Sequence, residues 1–502
     1  MANPRGIDFN SFVEQFGSLE TVQIGCLVIA LALALAFEFV NGFHDTANAV
    51  ATVIYTQSLP PSVAVVWSGI CNLIGVLASN SAVAFAIVSL LPMELVTHVG
   101  SAAGFAMVFS LLTSAIIWNL GTWYLGLPAS SSHTLIGSIM GVGLMNSVMH
   151  STGFLAGINW AKAKDVGLSL LVSPVVGFVC AAVLLLLIKA LIRKPELYTA
   201  PEPNQAPPWW IRGILCLTCT GVSFAHGSND GQKGMGLLML ILVGIIPGMY
   251  ALDLTTSPDA LGQLITLSQK AGTALEKHPA GPPLDGAAAD KVLDGYLKTD
   301  GAFSEAVMAA VAQENSQIAA TLAGHHSFKE LSDTQRQHLR DAIYYIAESI
   351  GKLNKTHQLA GNEADQFLAY KAALEKTTKF VPAWVKCAVA LALGLGTMIG
   401  WKRIVVTVGE KIGKSHLTYG QGASAELVAM MTIGLADLYG LPVSTTHVLS
   451  SGVAGTMAAN RSGLQMSTLR NLLLAWVLTL PVCVFLGAML FAAGLQLLAH
   501  VF

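Results

Sequence analysis

Charge is what this sequence has least of. Only 11% of its 502 residues are Asp, Glu, Lys or Arg, against 53% hydrophobic residues. A soluble globular domain carries about 25% charged residues. So few charges cannot cover a water-facing surface, and lipid is the expected solvent for most of the chain. The 27 basic and 29 acidic residues nearly cancel, which leaves no bulk field to attract nucleic acid. Cysteine is scarce and odd in number: Cys26, Cys71, Cys180, Cys216, Cys219, Cys387 and Cys483 lie almost all in apolar runs. Such scatter argues against a disulfide framework. Cys216 and Cys219 form a CxxC, but within an apolar stretch and without partner ligands. They read as small core residues rather than a metal or redox site. A short apolar segment followed by a small-residue cleavage site is also missing from the polar N-terminus, so no removed signal peptide is expected.

What the chain does have is long apolar runs. A membrane-crossing helix needs about 20 mostly apolar residues. Such runs occur near 22–42, 62–92, 102–125, 132–149, 166–190, 211–226, 234–254, 383–400, 421–439, 444–459 and 469–500. The runs at 62–92 and 469–500 are long enough for more than one span or a tilted helix. The reading is all-α, with about 10–12 transmembrane helices. Between 255 and 381 the composition turns polar, as in HPAGPPLDGAAAD, and then helically periodic, as in DAIYYIAESIGKLNK. This predicts a soluble, mostly helical insert of at least two helices.

The apolar part repeats itself. GLPASSSHTLIGSIMG at 126–141 resembles GLPVSTTHVLSSGVAG at 440–455, and FVNGFHDTANAV at 39–50 resembles FAHGSNDGQKGM at 224–235. Asp45 and Pro128 are much closer in sequence than Asp230 and Pro442, and the excess nearly equals the polar stretch. The expected organisation is a first membrane repeat at 1–200 and the start of a second at 201–254. The insert then occupies 255–381 and the rest of the second repeat 382–502.

Each repeated motif is polar where an apolar helix ends. NGFHDTANA brings Asn41, His44, Asp45, Thr46 and Asn48, and HGSNDGQKG brings His226, Ser228, Asn229, Asp230, Gln232 and Lys233. Ionisable groups at membrane depth are costly and mark a functional site. Gly42, Gly227, Gly231, Gly234 and Gly236 suggest that the helices break here, freeing backbone groups to bind ions. A solvent-facing loop would also be polar, but two matching loops that each keep an Asp exceed that. In the other pair, Pro128 and Pro442 fit the first turn of a helix. Ser130, Ser131, Ser132 and Thr134, and Ser444, Thr445 and Thr446, then gather at helix N-termini, where hydroxyls and free N–H groups bind an oxyanion. Simple capping needs one hydroxyl, not three. His44, His226, His133 and His447 could carry protons or merely orient loops. Lys233 could touch substrate or pair with Asp230.

At these motifs the chain resembles the Pit family of inorganic phosphate transporters, nearest its bacterial low-affinity, proton-coupled type. The resemblance spans nearly all of both membrane halves. It is carried by NGFHDTANAVATVIYT, WNLGTWYLGLPASSSHTLIG, HGSNDGQKG, GTMIGWKRI with GEKIGK, and LPVSTTHVLSSGVAGTM. It implies two inverted repeats with broken or re-entrant helices, a phosphate site between the halves, cation symport and a homodimer in the bacterial inner membrane. The family signature is GANDxANA. Here His44 replaces its first Asn, and Gln232, Lys233 and Gly234 depart from the second copy. These departures favour protons over sodium. The resemblance also implies phosphate carried as a neutral complex with a divalent metal; no metal ligands are assigned, and no cofactor is expected.

Three rival functions are weaker. A membrane-embedded phosphate-ester hydrolase would need a nucleophile–base pair, but Ser132 and His133 are neighbours that do not face each other on a helix, and neither a GxSxG elbow nor a P-loop is present. The chain is therefore not expected to be an enzyme. An anion channel conflicts with intramembrane Asp45 and Asp230. Sulfate, the main alternative substrate, is fully deprotonated near neutrality, whereas phosphate still has a proton that an aspartate can accept. The expected mechanism is alternating access. The hydroxyls hold phosphate oxygens, Asn48, Asn229, Gln232 and Lys233 add polar contacts, and Asp45, Asp230, His44 and His226 take the coupling cation. Basic clusters at Lys189, Arg193, Lys194 and Arg212 and at Lys402, Arg403, Lys411 and Lys414 both predict cytoplasmic ends. Three apolar runs lie between them, so one is expected to be a half-helix at HGSND.

Overall fold

The computed structural model describes residues 20–90, 99–150, 158–202, 205–278, 284–297, 301–359 and 361–498, without the side chains of 46–48 and 161–162. No β-strand occurs among them; an isolated bridge joins Gly413 and Leu464. The chain divides into two compact units: Cys26–Ile241 with Val381–Phe502, and Leu242–Phe380 with the described residues before Cys26.

The first unit contains most of α1 (Thr21–Tyr55), then α2 (Pro61–Ala78), α3 (Ala82–Val88), α4 (Ala102–Tyr124), α5 (Ser131–Met149), α6 (Trp160–Leu191) and most of α7 (Trp209–Ile245). After the insert it resumes, and with the insert's helices counted in chain order its later helices are α14 (Ala383–Thr397), α15 (Lys402–Val406), α16 (Tyr419–Leu438), α17 (Thr445–Ala459) and α18 (Met466–Leu498). Lipid offers no partners for backbone groups, so apolar runs close their hydrogen bonds internally as helices. Leu171, Val175, Val183 and Leu187 on α6, and Leu473, Val477 and Phe485 on α18, stand exposed, as a lipid-facing surface requires.

Five described helices are long and apolar enough to cross a membrane: α1, α2, α4, α6 and α18. The apolar runs alone suggest about ten to twelve, because each run counts as a span. The remaining helices are short, as α14 and α17 are, or carry the interior polar side chains, as α5, α7 and α16 do. The run at 62–92 contains two helices, α2 and α3, whereas Met466–Leu498 is one helix that continues through Pro481.

Two expectations about breaks are overturned. Neither Asp motif interrupts its helix: NGFHDTANA lies inside α1 and HGSNDGQKG inside α7. No half-helix therefore forms at HGSND. The glycines serve close packing instead. A Cβ on Gly42 would lie 2.4 Å from the Leu393 carbonyl oxygen, and one on Gly227 would lie 2.2 Å from that of Asn72. The approach is reciprocal: a Cβ on Gly396 of α14 would lie 2.1 Å from Phe39 O of α1, and one on Gly75 of α2 would lie 2.2 Å from Phe224 O of α7. The interruptions fall between α4 and α5 and between α16 and α17, where Gly126 and Gly440 take φ of 68° and 66°. Those left-handed turns suit glycine. Pro128 and Pro442 are not in the first helical turn either. Each lies two residues before the N-cap, which is Ser130 for α5 and Ser444 for α17.

The second unit holds α8 (Pro247–Tyr250), α9 (Pro258–Leu275), α10 (Gly286–Leu297), α11 (Glu305–Leu322), α12 (Asp333–Lys355) and α13 (Gly361–Thr378). Leu264, Val311, Ile346, Ile350 and Phe367 are among the residues of its own apolar core. Ser332 and Gln335 form a capping box that fixes the start of α12.

Candidate functional site

Asp45 of α1 is the centre of the polar interior, and three other helices deliver groups to it. Its side chain is 2% exposed. Thr446, in the first turn of α17, donates its hydroxyl to Oδ1 at 2.5 Å, and Ser131, first residue of α5, donates to Oδ2 at 3.3 Å. His44 Nδ1 lies 3.2 Å from Oδ1, while its Nε2 lies 3.0 Å from Thr122 Oγ1 on α4. From α7, His226 Nε2 approaches Oδ2 to 3.8 Å. Two helix N-termini thus aim at one carboxylate, the kind of group their positive ends favour.

Asp230 adjoins this group. His226 Nε2 is 3.4 Å from Asp230 Oδ2, and Lys233 Nζ is 2.8 Å from the same oxygen. His226 Nδ1 is 2.7 Å from Asn72 Oδ1. That carbonyl oxygen only accepts, so Nδ1 carries the hydrogen. A neutral His226 would then turn a lone pair toward two carboxylates. The arrangement calls for additional positive charge, either a proton on His226 or on one of the aspartates, or a cation held between them. Asp45, His226 and Asp230 offer one ligand atom each, all within 4.8 Å of one another, a set able to close on a cation.

The other expected residues separate into two groups. Ser130 and Ser444 are caps, accepting from the N–H of His133 at 3.2 Å and of His447 at 3.1 Å. Ser132 donates to Val443 O at 2.8 Å, joining the first turn of α5 to the loop that carries Pro442. Thr134 donates to Asn119 Oδ1 at 3.0 Å, and Thr445 is buried in the first turn of α17. Gln232 donates to Asp437 Oδ1 and accepts from Val83 N at 2.9 Å, and Asn229 donates to Leu441 O at 3.2 Å. These contacts hold the framework in register. The rings of His133 and His447 lie 4.7 Å apart, and His447 stacks on Trp476. The side chains of Thr46 and Asn48 lie outside those described. The hydroxyl triplets therefore divide their work. One residue of each caps its helix, and one, Ser131 or Thr446, reaches Asp45.

Several interior groups are not singled out by the motifs. Glu38, Glu426 and Asp437 are buried carboxyls, and Asn72, Asn119 and Thr122 are buried partners of the site. Thr52 and Thr218 donate to the two oxygens of Glu426. The rule that marks Asp45, an acid within an apolar run, applies equally to all three carboxyls.

A fully buried polar site gathered from several separate helices and walled by lipid-facing ones is the build of a membrane transporter. The chain belongs to the phosphate transporter family, whose model matches residues 41–487. It is a family of transporters, not of enzymes. The chain is 42% identical over 496 residues to the low-affinity inorganic phosphate transporter PitB of Escherichia coli (strain K12), an alignment covering 94% of this chain and 97% of that protein. It is 26% identical over 462 residues to a probable low-affinity inorganic phosphate transporter of Bacillus subtilis (strain 168), covering 92% and 95%. A solved structure described as the sodium-dependent phosphate transporter shares the fold, with a TM-score of 0.51 at 20% identity over 93% of this chain and 98% of that one.

Proposed function

We propose that this chain is a secondary transporter of inorganic phosphate that moves its substrate in symport with protons by alternating access. The observation that carries the reading is the convergence of Ser131 and Thr446, from two helix N-termini, on Asp45. With the aspartate protonated, those hydroxyls and the backbone N–H groups of both helix starts can turn to phosphate oxygens. With it ionised, they are held by Asp45, and an anion is repelled. Loading of the cation and of the anion are linked in this way.

Protons fit better than sodium on two counts. A proton needs a single acceptor, which His226 Nε2 or either aspartate supplies, whereas sodium needs about five or six oxygen ligands. Lys233 Nζ, 2.8 Å from Asp230 Oδ2, also stands where a sodium ion would need that oxygen. The compact Asp45, His226 and Asp230 set gives the metal–phosphate reading its support, since a divalent ion delivered with phosphate would find ligands there. The reciprocal glycine contacts support two inverted repeats, because each half packs the other's counterpart helix in the same manner. The proposed setting is a homodimer in the bacterial inner membrane, with 255–381 as a soluble insert between the start and the remainder of the second repeat.

The test is uptake of radiolabelled phosphate into proteoliposomes with sulfate as competitor. Saturable uptake unaffected by excess sulfate is expected. Equal competition by sulfate would contradict the substrate assignment.

A further inference from the structure

We propose that Glu38 is an additional proton-carrying carboxyl of the transport cycle, which keeps its proton while α1 and α7 pack as seen here and releases it when they part. This rests on the proton-coupled reading above. Glu38 lies two turns before Asp45 on α1, on the same face. Its side chain is wholly buried, at 0% exposure. Oε1 has no hydrogen-bond partner among the described residues, and Oε2 receives only Asn41 Nδ2 at 3.5 Å, the far limit of a hydrogen bond.

The carboxyl rests on bare backbone. A Cβ on Gly234 of α7 would lie 2.2 Å from Glu38 Cγ and 2.8 Å from Oε1, so only glycine leaves room for it. The charged and titratable groups whose fields reach it are Lys233, Asp230 and His226, all on α7. The ammonium of Lys233 is committed to Asp230. An ionised Glu38 would be a buried charge with neither counterion nor a good donor, a large desolvation penalty left unrepaid. A protonated one leaves only a weakly satisfied polar group. The side chain is therefore neutral in this conformation.

When α1 and α7 separate, water reaches the Glu38 carboxyl and solvates its charge, so Glu38 ionises and its proton leaves to that water. One proton is released for the one Glu38 carried, and it is regained before the helices pack again, so the cycle balances.

The experiment compares wild type with Glu38→Gln in proteoliposomes. Glutamine copies the size and neutrality of the protonated acid, so packing against Gly234 is retained. Phosphate counterflow, which needs no net proton movement, should persist in the variant. Accumulation driven by an inward proton gradient, and proton uptake accompanying phosphate, should be lost. Wild-type accumulation by the variant would overturn the role of Glu38. So would loss of counterflow along with accumulation, which would make Glu38 part of the framework. Failure of the wild type to accumulate phosphate under the gradient would instead sink the coupling reading itself.

Discussion

Thr446 and Asp45 lie 401 positions apart in sequence, and the Thr446 hydroxyl donates to Asp45 Oδ1 at 2.5 Å. The bond ties the start of α17 to the middle of α1. It gives Asp45 a donor that phosphate can take over once the carboxylate is neutralised. Thr446→Val should weaken phosphate interaction by about 1.5–3 kcal/mol, the worth of a hydrogen bond to a charged group, and raise the half-saturation concentration roughly tenfold or more. Ser130→Ala, which removes only a cap, should cost about 1 kcal/mol of stability and leave half-saturation unchanged. Concentration-dependent uptake by the two variants measures the contrast. Identical values would show that position in the triplet does not matter.

The close helix contacts give a second expectation. Gly227→Ala places a methyl 2.2 Å from the Asn72 carbonyl oxygen, against backbone that cannot swing aside. Overpacking of this kind costs about 1–3 kcal/mol or more. At Gly213 of α7 the position a Cβ would take has nothing within 4 Å, so Gly213→Ala should be neutral or slightly stabilising. Thermal unfolding of both proteins in detergent would check this. Equal melting temperatures would count against the packing.

The sequence makes the site partly legible. Asp45, Asp230 and the hydroxyl triplets stand out because polar groups in apolar runs are rare, and their repetition doubles the signal. The same glycines mislead. A glycine that permits a break and one that permits a close approach look alike until the neighbouring backbone is known. Leu393 and Asn72, the neighbours of Gly42 and Gly227, are far away in sequence. Glu38, Glu426 and Asp437 have the same signal as Asp45 but no repeated partner to draw attention to them. The division of labour among Ser130, Ser131 and Ser132 depends on rotation about the α5 axis, which composition does not encode.

The insert has its own titration. Glu314 of α11 is 2% exposed, and burial, with Asp290 beside it, pushes its carboxyl up to about 7. The folded state therefore holds this proton more tightly than the unfolded chain, where a Glu titrates near about 4.3. Stability from this group is fully present below the unfolded value and falls as pH climbs through the folded one. The loss is on the order of 3–4 kcal/mol between those limits. An excised 255–381 fragment, which contains most of that core, should fold, melt at lower temperature at pH 8 than at pH 5, and lose most of the difference on Glu314→Gln. Circular dichroism reads all three, and an unchanged pH slope in the variant would contradict the assignment.

Lys233 should act as the barrier to sodium. Lys233→Gln removes the ammonium from Asp230 Oδ2 and keeps a polar side chain. Sodium should then stimulate phosphate uptake by the variant, while proton-driven uptake falls. Uptake by the variant measured with and without sodium at fixed pH decides this; no sodium response would show that the ammonium is not what excludes the ion.

The most direct test of the whole account is phosphate accumulation by the wild-type protein in proteoliposomes under separately imposed gradients. An inward proton gradient should drive accumulation that a protonophore abolishes. Accumulation driven by an inward sodium gradient alone, at equal pH and with protonophore present, would contradict it.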